Sequence, residues 1–327
     1  MSDSARDRVW DRVVRTAIAP MDVGLVPTPS MLPQRVIQPD WAGAVLFSPG
    51  AVNFVIPQHR FHSIEGEWVV PEARPTINCS RPAEQEDGSS LWIAIDGWLG
   101  TDRRSNSTDI LQAGSESDVP CYAGGSPDKY QTSSYFWIEW GGTKNIAVAP
   151  PHTNEPVHPG DLIYVRIDAH TTGPDAWRTA TLWFVNETTG RYLPARTFHS
   201  GCLDCGTPNE HPAVLFGDTA EWMTEATFYD YDDPSLPNTL DDFGNVRLTS
   251  ASVTDEQGTT YEPGAPLAAT QNIDWMTWNG VPLQNGGTLL ACSRIVEPGT
   301  VIFSRAPYVI ETPGHQGDLE PKPQNCK

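Results

Sequence analysis

Lysine is almost missing from this chain. Four are present, at positions 129, 144, 322 and 327, and basic residues total 21 against 41 acidic ones among 327. Nucleic-acid phosphates are gripped by clustered Lys and Arg, so a net charge of −20 argues against a nucleic-acid partner. No apolar run approaches the roughly 18–20 residues of a membrane span, and no membrane partner is expected. The N-terminal MSDSARDRVW lacks the basic-then-apolar pattern of a secretory leader. HExxH, GxSxG and GxxxxGK followed by Ser or Thr are also absent. Metalloprotease, α/β-hydrolase and P-loop readings therefore have no support. No fixed-period repeat or low-complexity tract appears.

Cysteine is sparse: six residues, at 79, 121, 202, 205, 292 and 326. An even count suits an oxidising compartment and leaves the pairing open. Cys202-Leu203-Asp204-Cys205, with His199 and His211 nearby, is a weak zinc signal, because a structural zinc site needs four ligands. A local disulfide or free thiols fit better. The acidic surplus suits an acid medium, where carboxylates protonate and self-repulsion falls. It equally suits a salty one, where charge is screened.

What is present divides the chain in three. Residues 3–19 carry a helical pattern. Ser2 or Asp3 caps it, Val9, Trp10, Val13, Val14 and Ala17 share a face, and Pro20 stops it. Pro27, Pro29 and Pro33 make the following stretch an extended linker, so residues 1–37 read as a packing appendage. Residues 38–285 read as one body of strands, and 286–327 as a Pro- and Gly-rich extension with one apolar run at Val301–Phe303. Strand signals begin at Trp41–Phe47 and continue at Phe61–Val70, where His62, Ile64, Gly66, Trp68 and Val70 share a side. A polar loop over 81–90 precedes a strand at Leu91. In 161–169, Ile163, Val165 and Ile167 point inward, and Tyr164, Arg166 and Asp168 outward. Thr179–Val185 and Arg191–Phe198 flank a hairpin turn containing Gly190. Further strands are expected over 215–228, 245–253, 272–278 and 288–295. Ten or more strands with 27 Gly and 30 Pro predict an all-β sandwich.

One stretch holds polar groups in unexpected company. Asp96 follows Trp92-Ile93-Ala94-Ile95, Gln112 follows Ile110-Leu111, and Glu139 sits between Phe136-Trp137-Ile138 and Trp140. A carboxylate or amide in a β-rich apolar segment is costly unless it is hydrogen-bonded or does chemistry. Three within fifty residues indicate a polar strip on one sheet face.

The order WxxID, ILQxG, WxEW resembles the glutamic peptidases (eqolisins), acid endopeptidases with a Gln/Glu dyad. The family's ILQxG Gln matches Gln112. Its AExxxE segment matches Ala220-Glu221-Trp222-Met223-Thr224-Glu225, which makes Glu225 the catalytic carboxylate and Glu221 its competitor. Trp41-Ala42-Gly43-Ala44, Asn186-Glu187-Thr188-Thr189-Gly190 and Phe243-Gly244-Asn245-Val246 extend the likeness over roughly 38–283. The resemblance implies a concanavalin-like jelly roll, secretion, protein or peptide substrates, a monomer, and no cofactor or metal. It assigns Trp92, Asp96 and Glu139 to substrate binding beside the dyad. Read without it, Trp92 is a core aromatic and Asp96 a turn acceptor before Gly97. The family's EWYP becomes Glu139-Trp140-Gly141-Gly142 here, and the loop over 121–134 is longer, so substrate preference should differ.

The chemistry follows from low pH. A His base is protonated there, whereas a carboxylate can still take a proton near pH 3–4. Glu225 would activate water and return the proton to the leaving amine, while Gln112 stabilises the oxyanion. The pair is expected on adjacent strands of one concave face, within a shared water. The alternatives are a carbohydrate-binding sandwich whose twelve Trp stack on sugars, and a glycoside hydrolase using Glu139 and Glu225.

Overall fold

The computed structural model describes residues 37–38, 41–49, 59–75, 86–98, 109–120, 132–141, 147–148, 157–200, 214–226, 240–266, 269–273, 275–277 and 289–305. The expected helix over 3–19, the linker after it, and Cys79, Cys121, Cys202, Cys205 and Cys326 lie outside these residues. Cys292 is disulfide-bonded.

The described residues form strands and turns only. A seven-stranded sheet contains β2 (Trp41–Phe47), β4 (Glu86–Ile95), β5 (Ile110–Pro120), β6 (Ser133–Gly141), β7 (Ala147–Val148), β11 (Thr219–Glu225) and β14 (Ala269–Ile273), in the order β14-β2-β11-β4-β5-β6-β7. A ten-stranded sheet is built on β3 (Phe61–Val69), β8 (Leu162–Ala169), β9 (Thr179–Asn186), β10 (Arg191–His199), β12 (Asn245–Asp255), β16 (Leu289–Glu297) and β17 (Thr300–Arg305). The short β1 (Ile37–Gln38), β13 (Thr260–Tyr261) and β15 (Trp275–Thr277) complete it. Its order is β1-β15-β16-β17-β12-β3-β8-β9-β10, with β13 on β12. Pairing is antiparallel except between β1 and β15. The architecture is the all-β sandwich expected. Strands β16 and β17, beyond residue 285, are interior strands of the larger sheet.

The period-2 patterns put one face of each sheet into a shared core. Ala44, Leu46, Leu91, Ile93, Ile95, Leu111, Ala113 and Trp222 come from the smaller sheet, and Phe61, Ile64, Trp68, Ile163, Val165, Ile167, Leu248 and Phe303 from the larger. Full burial of such a side chain contributes about 1.5–3 kcal/mol. Two tryptophans also pin the layers together by hydrogen bonds. Trp222 Nε1 donates to Glu65 O at 2.9 Å, and Trp68 Nε1 to Ser115 Oγ at 3.0 Å. Buried indoles need such partners, and these two fix the sheets in register.

Two strand expectations are corrected. The polar stretch 86–90 is the first half of β4, not a loop. It pairs residue for residue with the polar half of β5, from Glu86 against Pro120 to Ser90 against Glu116. Of the expected strand over 215–228, the described residues 215–226 are strand only at Thr219–Glu225. Leu215–Asp218 lies outside the strand, turns at Gly217 (φ 67°) and is held by side chains: Arg60 donates to Leu215 O and Phe216 O, and Asp96 accepts from the amides of Phe216, Gly217 and Asp218.

Candidate active site

The second face of the seven-stranded sheet points away from the larger sheet. Register lines its residues into three rows across β6, β5, β4, β11 and β2. The first row reads Glu139, Gln112, Ala94, Glu221, Val45. The second reads Trp137, Gly114, Trp92, Met223, Gly43, and the third Tyr135, Glu116, Ser90, Glu225, Trp41. Residues directly opposite share a face, so Gln112, Glu139, Trp92, Glu221 and Glu225 all belong to this one. Asp96 follows β4 at its end.

Gln112 and Glu225 lie on one face, as expected, but not on adjacent strands. Strand β4 runs between them. They occupy a diagonal with Trp92 at its middle. On a flat sheet the two Cα atoms would be about 16 Å apart, two strand spacings across and four residues along. Long side chains and the central indole must span that diagonal. Trp92 is fully buried and its Nε1 donates to Glu225 Oε2 at 2.8 Å. Its ring meets Trp41 edge-on, with centroids 5.4 Å apart.

At the other end, Gln112 Nε2 donates to Glu139 Oε2 at 2.8 Å. Gln112 is 7% exposed, and its Oε1 is buried without a hydrogen-bond partner. The acceptor end of the amide is therefore not satisfied by the protein groups described, while its donor end is. Burial pushes the Glu139 carboxyl above its ordinary range, and the bond from Gln112 opposes that shift.

Glu221 and Glu225 separate by environment. Glu225 is half-buried. Glu221 is fully buried, accepts a 3.3 Å bond from Thr219 Oγ1, and has an Oε2 without a hydrogen-bond partner. Burial, then the Asp96 carboxyl nearby, push it well up, and Asp218 adds to this. Asp96 is also fully buried, at φ 63°. Burial and the Asp218 carboxyl beside it raise it, against the pull of the Gly217 and Phe216 amides. Its three amide bonds tie the end of β4 to the segment feeding β11. That is a holding task, performed on a distant segment and not on Asp96's own turn before Gly97.

Trp137 and Ser90 were not singled out from the sequence. Trp137 Nε1 donates to Ser90 Oγ at 2.8 Å, closing the row between Gln112 and Glu225. The strand period offered the signal: Trp137 stands two residues before Glu139, and Ser90 two before Trp92. A separate cleft of about 1300 Å³ is lined by Val69, Glu72, Arg74, Pro159, Asp242 and Arg247, among others. No residue of the three rows lines it. His199 is described, but Cys202, Cys205 and His211 are not. Among the described residues no cluster of His, Cys, Asp and Glu could hold a metal ion.

The described residues form an all-β sandwich with a polar strip on the outer face of its smaller sheet. The chain belongs to the peptidase A4 family, the glutamic peptidases, which it matches over residues 39–297, and it is a glutamic endopeptidase. The crystal structure of aspergilloglutamic peptidase from Aspergillus niger is similar, at 23% identity and a TM-score of 0.44, over 67% of this chain and 98% of that one. No curated protein matches the chain in sequence.

Proposed function

We propose that the chain is a secreted acid endopeptidase working through Gln112 and Glu225. Glu225 takes a proton from water as the water oxygen attacks the scissile carbonyl carbon. Gln112 donates an N–H to the oxyanion that forms. The tetrahedral intermediate collapses, the C–N bond breaks, and Glu225 returns its proton to the leaving amine. Trp92 is the floor of the site and fixes the Glu225 carboxylate. Protein or peptide is the substrate class implied by the family. The observation that carries this reading is the shared face, where the accessible carboxylate is Glu225 and the amide facing it across Trp92 is Gln112.

The glycoside hydrolase alternative has no support from the family match, which is to peptidases. For the sugar-stacking alternative, Trp68, Trp92, Trp98, Trp140 and Trp222 are buried and offer no surface, which leaves the partly buried Trp41 and Trp137 on this face and the exposed Trp183 elsewhere.

The test is turnover of a denatured protein at pH 3–4 by three variants with folding checked by circular dichroism. Glu225→Gln should fall to background, and Gln112→Ala should lose about 10²–10³ in kcat. Glu221→Gln should keep most activity. Wild-type turnover in folded Glu225→Gln would end the mechanism, and a dead Glu221→Gln beside an active Glu225→Gln would move the base to Glu221.

A further inference from the structure

Building on the dyad reading above, we propose that Glu139 is a positioning residue: by holding or releasing one proton it decides which end of the Gln112 amide faces the substrate. A Gln side chain has an acceptor end and a donor end of nearly equal shape. In the arrangement described, the donor end is turned to Glu139 and the acceptor end is left without a partner. An ionised Glu139 can only accept, so it must take Nε2, and Oε1 is then the end turned away from Glu139. A protonated Glu139 can donate its O–H to Oε1. The amide then turns over, and both N–H groups of Nε2 face the site. Only the second arrangement aims the pair of donors at a developing oxyanion.

The surroundings of Glu139 allow this exchange. From β5 it faces Gln112, and from β7 its register partner is Val148. Asp109 lies at the foot of β5, Tyr135 and Glu116 lie further along the same face, and Glu221 and Glu225 stand across β4. Among the described residues, only burial and the Gln112 amide displace the Glu139 carboxyl, with burial prevailing. Its protonated form therefore persists above the ordinary carboxylate range.

The device also supplies what a lone Glu base lacks. A carboxylate base works once ionised, so its activity rises with pH and then stays level. An optimum in acid needs a second group that must stay protonated. Glu139 provides it: the competent amide orientation is lost as pH rises through the raised Glu139 titration, giving a falling alkaline limb.

The experiment is a kcat/KM profile from pH 2 to pH 8 for wild type and Glu139→Gln. Wild type should fall by about 10²–10³ across the alkaline limb, the loss typical of one oxyanion donor. Glu139→Gln always carries an N–H for Oε1, so its activity at neutral pH should stay within about tenfold of its acid value. An alkaline limb in Glu139→Gln at the wild-type position overturns the inference. If that variant does not fold, wild type labelled with ¹⁵N at glutamine decides, with Gln112 assigned by its loss in Gln112→Glu. The side-chain amide resonance should titrate along the limb, and a flat resonance overturns the inference. An active Glu225→Gln would instead remove the dyad reading on which this rests. An inactive Glu225→Gln with an unmoved limb in Glu139→Gln removes this inference alone.

Discussion

Trp92 joins the fold to the chemistry more directly than any other single residue in the strip. Its ring is core, packed with Val45, Phe47, Ala94, Trp98 and Met223, and its nitrogen reaches the Glu225 carboxylate. Its burial fits the core-aromatic reading, and in the proposed mechanism its bond to Glu225 gives the same side chain a second task. Trp92→Phe separates them, because most of the ring stays and the donor goes. A hydrogen bond to a charged group contributes about 1.5–3 kcal/mol, so kcat should fall about 10- to 100-fold with KM nearly unchanged. Steady-state kinetics on one peptide would show it, and an unaltered kcat would mean that Glu225 needs no holding. Gln112 teaches a related lesson about legibility. Its type and its place in an apolar strand were visible. Its bond to Glu139 was not, because β5–β6 register is decided by long-range pairing that spacing does not encode.

At the scale of the strand, half-burial made most elements legible. β8 alternates in sequence and in burial residue by residue. β4 did not read this way, because Glu-Asp-Gly-Ser-Ser looks like a loop. Yet Asp87, Ser89 and Ser90 are buried. Ser89 Oγ donates to Asp241 and Ser90 Oγ to Ser115 O, at 3.0 and 3.2 Å. Hydrogen bonds replace apolar contact there, and composition cannot show which partner will supply them. The strand crossing between Gln112 and Glu225 was hidden for the same reason: sheet order is a property of closure, not of local pattern. Gly114 shows how tightly β4 and β5 meet on the strip. A Cβ on it would lie 2.1 Å from Leu91 O and 2.7 Å from Trp92 Cβ. Backbone cannot yield as a side-chain tip can, so Gly114→Ala should destabilise by at least about 2–3 kcal/mol, the upper range for overpacking. Its urea midpoint should drop accordingly, and an unchanged midpoint would show that β4 and β5 can part without loss.

At the scale of the whole molecule, the sandwich keeps several carboxyls in places that favour their protonated form. Burial pushes Asp96, Glu221 and Asp241 well above the ordinary range, with neighbouring carboxyls adding to the shift in each. Asp255 goes the other way: burial raises it, but bonds from Thr259, His59, Tyr261 and Gln257 hold it below its usual value. For a raised carboxyl the folded chain keeps a proton that the unfolded chain gives up. Its stabilising contribution is complete below the unfolded value, near 4, and is lost as pH rises through the folded value. Asp255 contributes in the opposite sense, present above its unfolded value and lost as pH falls through its lowered one. Asp109 and Glu139 are raised too, and five raised carboxyls against one lowered among the described residues give a net decline in stability from pH 4 toward neutrality. Glu221 is the cleanest probe, since its Oε2 has no hydrogen-bond partner and Gln fills the same space without a charge. Thermal unfolding of wild type and Glu221→Gln at pH 4 and pH 7 is the measurement. Wild-type Tm should be lower at pH 7. Glu221→Gln should match wild type at pH 4 and exceed it at pH 7, since the variant has no proton to surrender there. Equal Tm differences between the two chains at both pH values would show that Glu221 contributes nothing to the acid preference of the fold.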